Sequence, residues 1–157
     1  MTYDERFMEM AVRLATDNVT SSHGGPFGCV IVRDGQVIGT GVNEVTAHYD
    51  PSAHAEVQAI RAACSRLQSF QLTGCEVYAS CEPCPMCFGA LYWARPAAIY
   101  FGSTKEDAAS IGFDDAFIYE ELDRPMEKRS IPMIRKVTAA TGEPFQAWTR
   151  SAAKKEY

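Results

Sequence analysis

Apolar residues return at helical spacing near the start of the chain. Phe7, Met10, Ala11, Leu14 and Ala15 fall on one face and predict an amphipathic helix over residues 3–18. Gly24, Gly25 and Pro26 in HGGPFG break that pattern and predict a loop. The period then drops to that of strands. In GCVIVRDGQVIGTG two apolar runs flank Asp34-Gly35, a pair suited to the positive φ angles of a tight turn, which predicts a β-hairpin. A loop holding Asn43 and His48 leads into YDPSAHAEVQAIRAACSRL. There Asp50 reads as an N-cap, Pro51 as the first helical residue, and Val57, Ile60, Cys64 and Leu67 as the buried stripe.

Downstream, CEVYAS (75–80) and AAIYFG (97–102) read as short buried strands on either side of CPMCFGALYWAR. That segment predicts a helix entered at about Cys84 and ended by Pro96. TKEDAASIG and DDAFIYEEL predict short helices. RSIPMIRKV predicts an edge strand that tolerates Pro132. PFQAWTRSAAKKE predicts a final helix, its lysines placed at the negative end of the dipole. No repeat, linker or low-complexity tract interrupts the 157 residues. The alternation of strands and helices predicts one domain over 1–157, a three-layer α/β/α sandwich.

Composition narrows the partners. Hydrophobic residues make up 46% of the chain, sufficient for a core. The net charge of -5 and a pI near 5.2 remove the usual footprint of a polynucleotide binder. No stretch is apolar enough to span a bilayer and no secretory signal opens the chain, so neither nucleic acid nor membrane is expected as a partner. Six cysteines in that setting imply reduced thiols and a cytoplasmic protein.

The candidate chemistry lies in SCEPCPMC and in HAE. Cys84 and Cys87 are three apart, on one face of a first helical turn, where the dipole favours thiolates. With His54, one of three histidines, they make a nitrogen–sulfur set suited to zinc. Residues two apart do not share a face in mid-helix, so His54 and Glu56 can converge only near a helix end. Three ligands leave a fourth position to water, whose pKa zinc lowers to about 7. Glu56, near the water and off the metal, then carries the proton. A closed structural site with Cys81 as fourth ligand is the alternative, and inert buried cysteines without metal are another. GGPFG lacks the lysine and spacing of a phosphate loop.

His54-Ala55-Glu56 with Pro83-Cys84-Pro85-Met86-Cys87 resembles the cytidine deaminase superfamily pattern H-x-E…P-C-x-x-C. GGPFG, Asn43, DPSAHAEVQAI, ALYWARP, GFDDAFIY and FQAW…KKEY extend the resemblance to that superfamily's small bacterial guanine deaminases. The resemblance implies a cytidine-deaminase-like fold with a mixed sheet, one zinc per subunit, and hydrolysis of guanine to xanthine and ammonia. It also implies a homodimer with a swapped C-terminal helix. By the same resemblance Phe27 lies against the purine, Asn43 hydrogen-bonds it and Trp93 lines the site. Asp115 contacts the base and helps move protons, and Tyr157 caps the partner's pocket. Structural roles stand beside these: core packing for Phe27 and Trp93, a turn for Asn43, a helix cap for Asp115, a frayed end for Tyr157. Transfer-RNA adenosine deamination, cytosine or aminotriazine deamination, and a non-enzymatic zinc domain are the rival functions.

Overall fold

The computed structural model describes residues 2–157. The elements run α1 (Glu5–Thr20), β1 (Gly28–Arg33), β2 (Gln36–Val42), α2 (Val45–His48), α3 (Ala55–Leu67), β3 (Cys75–Cys81), α4 (Pro85–Ala94), β4 (Ala98–Ser103), α5 (Lys105–Ser110), α6 (Ala116–Asp123) and α7 (Glu143–Arg150). They fall into two compact units, Met1–Asp115 and Ala116–Tyr157. Among the described residues no helix is long and apolar enough to cross a membrane.

The first unit is built on a mixed sheet of order β2-β1-β3-β4, in which β1 runs antiparallel to both neighbours and β3 parallel to β4. Asp34 (φ 51°) and Gly35 (φ 73°) close the β1–β2 hairpin in the left-handed region, as the Asp-Gly pair predicts. Strand alternation splits β1 between two cores. Cys29 and Ile31 join the cluster under α3 and α4, while Val30 and Val32 join Phe7, Ala11 and Tyr78 under α1. The three layers are therefore α1, the sheet, and the α3–α4 pair.

Several expected boundaries move. The first helix starts two residues later, with the Asp4 carboxylate accepting the Arg6 N–H as its N-cap. Asp50 does not cap α3. Its Oδ1 accepts the Ser52 N–H (2.8 Å) and hydroxyl (2.6 Å), closing a local turn through Pro51, and the helix begins after an extended His54. The buried stripe of α3 is Ala55, Ala59 and Ala63, while Ile60, Cys64 and Leu67 pack at its margin. The cause is on β2. A Cβ on Gly41 would lie 2.1 Å from the Ala55 carbonyl, and one on Gly39 would lie 2.7 Å from the Ala63 nitrogen. Helix backbone rests on strand backbone, and only alanine fits between.

In the second unit, residues 129–137 form no strand, since α6, α7 and a short 3-10 turn at Met126–Lys128 offer no ladder to join. The last helix stops at Arg150. Lys154 lies beyond it and returns its Nζ to the Thr149 carbonyl at 3.2 Å.

Substituting Gly41→Ala drives a methyl into the first turn of α3 and should cost about 1–3 kcal/mol in urea unfolding.

Candidate metal centre

His54 and Cys84 occupy equivalent places. Each is the extended N-cap residue of its helix, at ψ 156° and ψ 168°, and neither side chain caps its own helix. Pro85, with its fixed φ and no N–H, starts α4 immediately after Cys84. Freed from capping, the two side chains meet. His54 Nδ1 lies 3.5 Å from Cys84 Sγ and 3.5 Å from Cys87 Sγ. All three donor atoms lie within 4.8 Å of one another, and this is the one metal-ligand group among the described residues.

The spacing fits a tetrahedral cation. Bonds of about 2.3 Å to sulfur and 2.0 Å to nitrogen set N···S at about 3.5 Å. The electrostatics fit as well. Cys84 is held down to about 4, first by a hydrogen bond from the Cys87 thiol and then by His54, against burial. Cys87 is pushed up by donating that bond, by burial and by Glu56. A divalent cation displaces that remaining proton. Two sulfurs and an imidazole select zinc.

Cys81 stands outside the group. Its Sγ donates to the Thr104 carbonyl at 3.5 Å, and burial pushes its thiol up to about 11. It borders a pocket of about 240 Å3 shared with Val12, Thr16, Phe27 and Ile111. The first turn of α3 brings Glu56 to the centre without adding it to the ligand set. Its side chain is 7% exposed, and burial raises its carboxyl above the usual range. Its own backbone N–H and the Cys87 thiol oppose that rise.

A second set of residues gathers around Gly25. A Cβ there would lie 3.5 Å from Asn43 Cγ, from Phe27 Cδ2 and from Phe113 Cζ. Phe27 and Phe113 meet edge to face at 5.0 Å. Asn43 is buried, its Oδ1 accepting the Val45 N–H at 3.3 Å, while its Nδ2 donates to no described residue. Burial and, after it, the Cys84 charge raise the Asp115 carboxyl, against its own backbone N–H and Lys105. Trp93 is set apart. At about 1.5 Å per residue it lies about 13 Å along α4 from Cys84, and it is 61% exposed rather than core. Tyr157 is exposed in the second unit.

Three residues with no assigned role in the sequence reading support this set. Phe113 sits inside the GFDD stretch. Glu44 follows Asn43 and gathers His23 (3.4 Å), His48 (3.2 Å) and Gln58 (3.1 Å) on one carboxylate. Asn18 continues the buried stripe Phe7, Ala11, Ala15 of α1. A polar residue on a buried helical face was its available signal.

Residues 1–103 match the family described as the cytidine and deoxycytidylate deaminase zinc-binding region. The chain is 54% identical over 153 residues to the guanine deaminase of Bacillus subtilis (strain 168), covering 98% of each. It is 35% identical over 121 residues to the tRNA-specific adenosine deaminase of Aquifex aeolicus (strain VF5), covering 77% of each. The X-ray structure of Bacillus subtilis guanine deaminase superposes with a TM-score of 0.96 at 52% identity, covering 99% of both chains.

Elemental analysis of purified protein separates the two roles of cysteine. Cys81→Ala should retain the zinc of the parent chain, whereas Cys84→Ala should lose it by about tenfold or more.

Proposed function

The chain belongs to the cytidine and deoxycytidylate deaminase zinc-binding family, and from that premise we propose that it hydrolyses guanine to xanthine and ammonia. The observation that carries the reading is the reach of the guanine deaminase likeness, which runs through Ala116–Tyr157 and well past the shared family region. The first unit has the α/β/α fold of that likeness, and His54, Cys84 and Cys87 are placed to hold the zinc. The two compact units then act as one deaminase domain in the cytoplasm, a compartment that suits six unpaired cysteines.

Zinc, when bound, supplies the Lewis acidity that brings a water toward ionisation at neutral pH. Glu56 does the proton work. Its raised carboxyl accepts a proton as the water attacks C2 and returns it to N3 of the ring. It then takes the second proton from the new hydroxyl to the amino group, which leaves as ammonia. C2 keeps the oxygen as a carbonyl and N3 keeps its proton, so the atoms of guanine and water balance those of xanthine and ammonia.

Recognition falls to the set around Gly25. Phe27, held edge-on by Phe113, offers its face to the purine plane. Asn43 spends its Oδ1 on the Val45 N–H and directs its amide N–H groups to an acceptor on the base. Asp115, a carboxylate near Cys84, contacts the amidine edge and helps relay protons.

Trp93 and Tyr157 close the pocket in a homodimer whose C-terminal segments are exchanged. No residue of Ala116–Tyr157 is buried among the described residues, although Phe117, Ile131, Ile134 and Phe145 are all apolar and exposed. A segment of that size cannot remain folded with its apolar side chains in water. The same reasoning covers α4, an almost wholly apolar helix that leaves Phe88 and Tyr92 exposed.

Ammonia release should be seen with guanine and be at least about tenfold slower with adenine, cytosine, their nucleosides and transfer RNA; faster release from transfer RNA overturns the substrate. Glu56→Gln should keep zinc and lose about 10²–10⁴-fold in kcat. Deleting Tyr157 should leave a folded, zinc-loaded dimer by sedimentation, with kcat/KM for guanine down by about tenfold.

A further inference from the structure

Asn18 is an asparagine in the last turns of α1, a place where its side chain lowers helix propensity, and it is 4% exposed. Both N–H groups of its amide are spent across the chain. Nδ2 donates to the Gly25 carbonyl at 2.8 Å and to the Asn43 carbonyl at 2.9 Å. Its backbone carbonyl accepts the N–H of His23 (3.0 Å) and of Gly24 (3.2 Å). One residue thus joins the Gly24-Gly25 loop to the strand end that carries Asn43. The joint leaves no slack, since a Cβ on Gly24 would lie 2.2 Å from the Asn43 carbonyl oxygen and 3.0 Å from Asn18 Nδ2.

From this geometry we infer that Asn18 is a positioning residue for base recognition, setting the Asn43 amide against the Phe27 ring without touching the base itself. This rests on the guanine reading. The site divides in two. The ligands and Glu56 sit on the first turns of α3 and α4, whereas Phe27 and Asn43 sit on loops that Asn18 ties together. Loosening the tie disturbs recognition and leaves the zinc centre in place, a separation that a purely structural asparagine would not produce. A structural role predicts a lower Tm with unchanged substrate affinity.

The experiment uses full-length, zinc-loaded protein well below its Tm. Asn18→Ala should raise KM for guanine about tenfold and leave kcat within about threefold, the pattern of lost binding common to ground state and transition state. Zinc content should stay at the wild-type level, and Kd for xanthine, read by calorimetry, should weaken in parallel with KM. Gly24→Ala separates the same two loops by steric contact alone, removes no hydrogen-bonding side chain, and should reproduce the split. If Asn18→Ala does not fold, Gly24→Ala decides. Unchanged KM and Kd in the folded variants overturns the inference, as does loss of zinc or a fall in kcat at constant KM. Wild-type protein that releases no ammonia from guanine overturns the proposed function instead; xanthine, adenine and cytosine binding then decide the role of Asn18.

Discussion

The contact between α3 and β2 brings backbone against backbone at two glycines, and the placement of the zinc centre depends on that. Gly39 and Gly41 bring strand backbone against the backbone of Ala55, Ala59 and Ala63. A helix seated this way can neither slide nor roll without an atomic collision. Its first residue is Ala55, so the residue before it, His54, inherits the constraint. Cys84 is constrained from the other side, between the end of β3 and Pro85. The far face of the sheet repeats the device: a Cβ on Gly28 would lie 2.3 Å from the Ala11 carbonyl, which fixes α1 and with it Asn18. Sites hold their geometry when they stand on elements placed like this.

Two helix N-termini aimed at one point would repel each other if nothing negative lay between them. Neither N-cap side chain satisfies its own helix, so the partial positive ends face Cys84, Cys87 and Glu56. The same environment produces opposite results for two neighbouring groups. Cys84 is held down by hydrogen bonds from Cys87 and His54, as a ligand must be, while Glu56 is buried enough to hold a proton at a higher pH than a surface carboxylate. The cost is a buried acid beside Cys29, a fully enclosed thiol that burial and Glu56 keep protonated and inert. Such local conflicts concentrate where function is located.

The sequence shows the ligand set readily because metal chemistry dictates residue type and spacing together. His54, Cys84 and Cys87 are legible on that ground, and the Asp34-Gly35 hairpin is legible because few pairs accept its backbone angles. The α3 stripe was harder. Hydrophobic periodicity favours large residues, and the alanines become the buried face only once Gly39 and Gly41 are known to oppose them. Asp50 illustrates competition: the same side chain suits a helix cap or a tight turn, and the Ser52 hydroxyl decided the matter. Residues 129–137 carry strand-like composition, but a strand exists only with a partner ladder. Trp93 and Tyr157 are exposed in this chain, and no pattern within it sets them apart from its other exposed aromatic residues.

The family-matched region ends at residue 103. His54, Cys84, Cys87 and Glu56 lie inside it, as do Phe27 and Asn43. Phe113, Asp115 and the whole of Ala116–Tyr157 lie outside. A deaminase centre needs only a held water, a proton carrier and a ring carbon bearing an amine, and that requirement is common to purines and pyrimidines. Selectivity has to come from groups that read the remaining edges of the ring. On the proposed reading those groups are a loop amide tied to α1, two crossed phenyl rings, one of them beyond the matched region, and a carboxylate beyond it. On that reading the chemistry is carried on helix ends, and the choice of base on loops and on residues past 103.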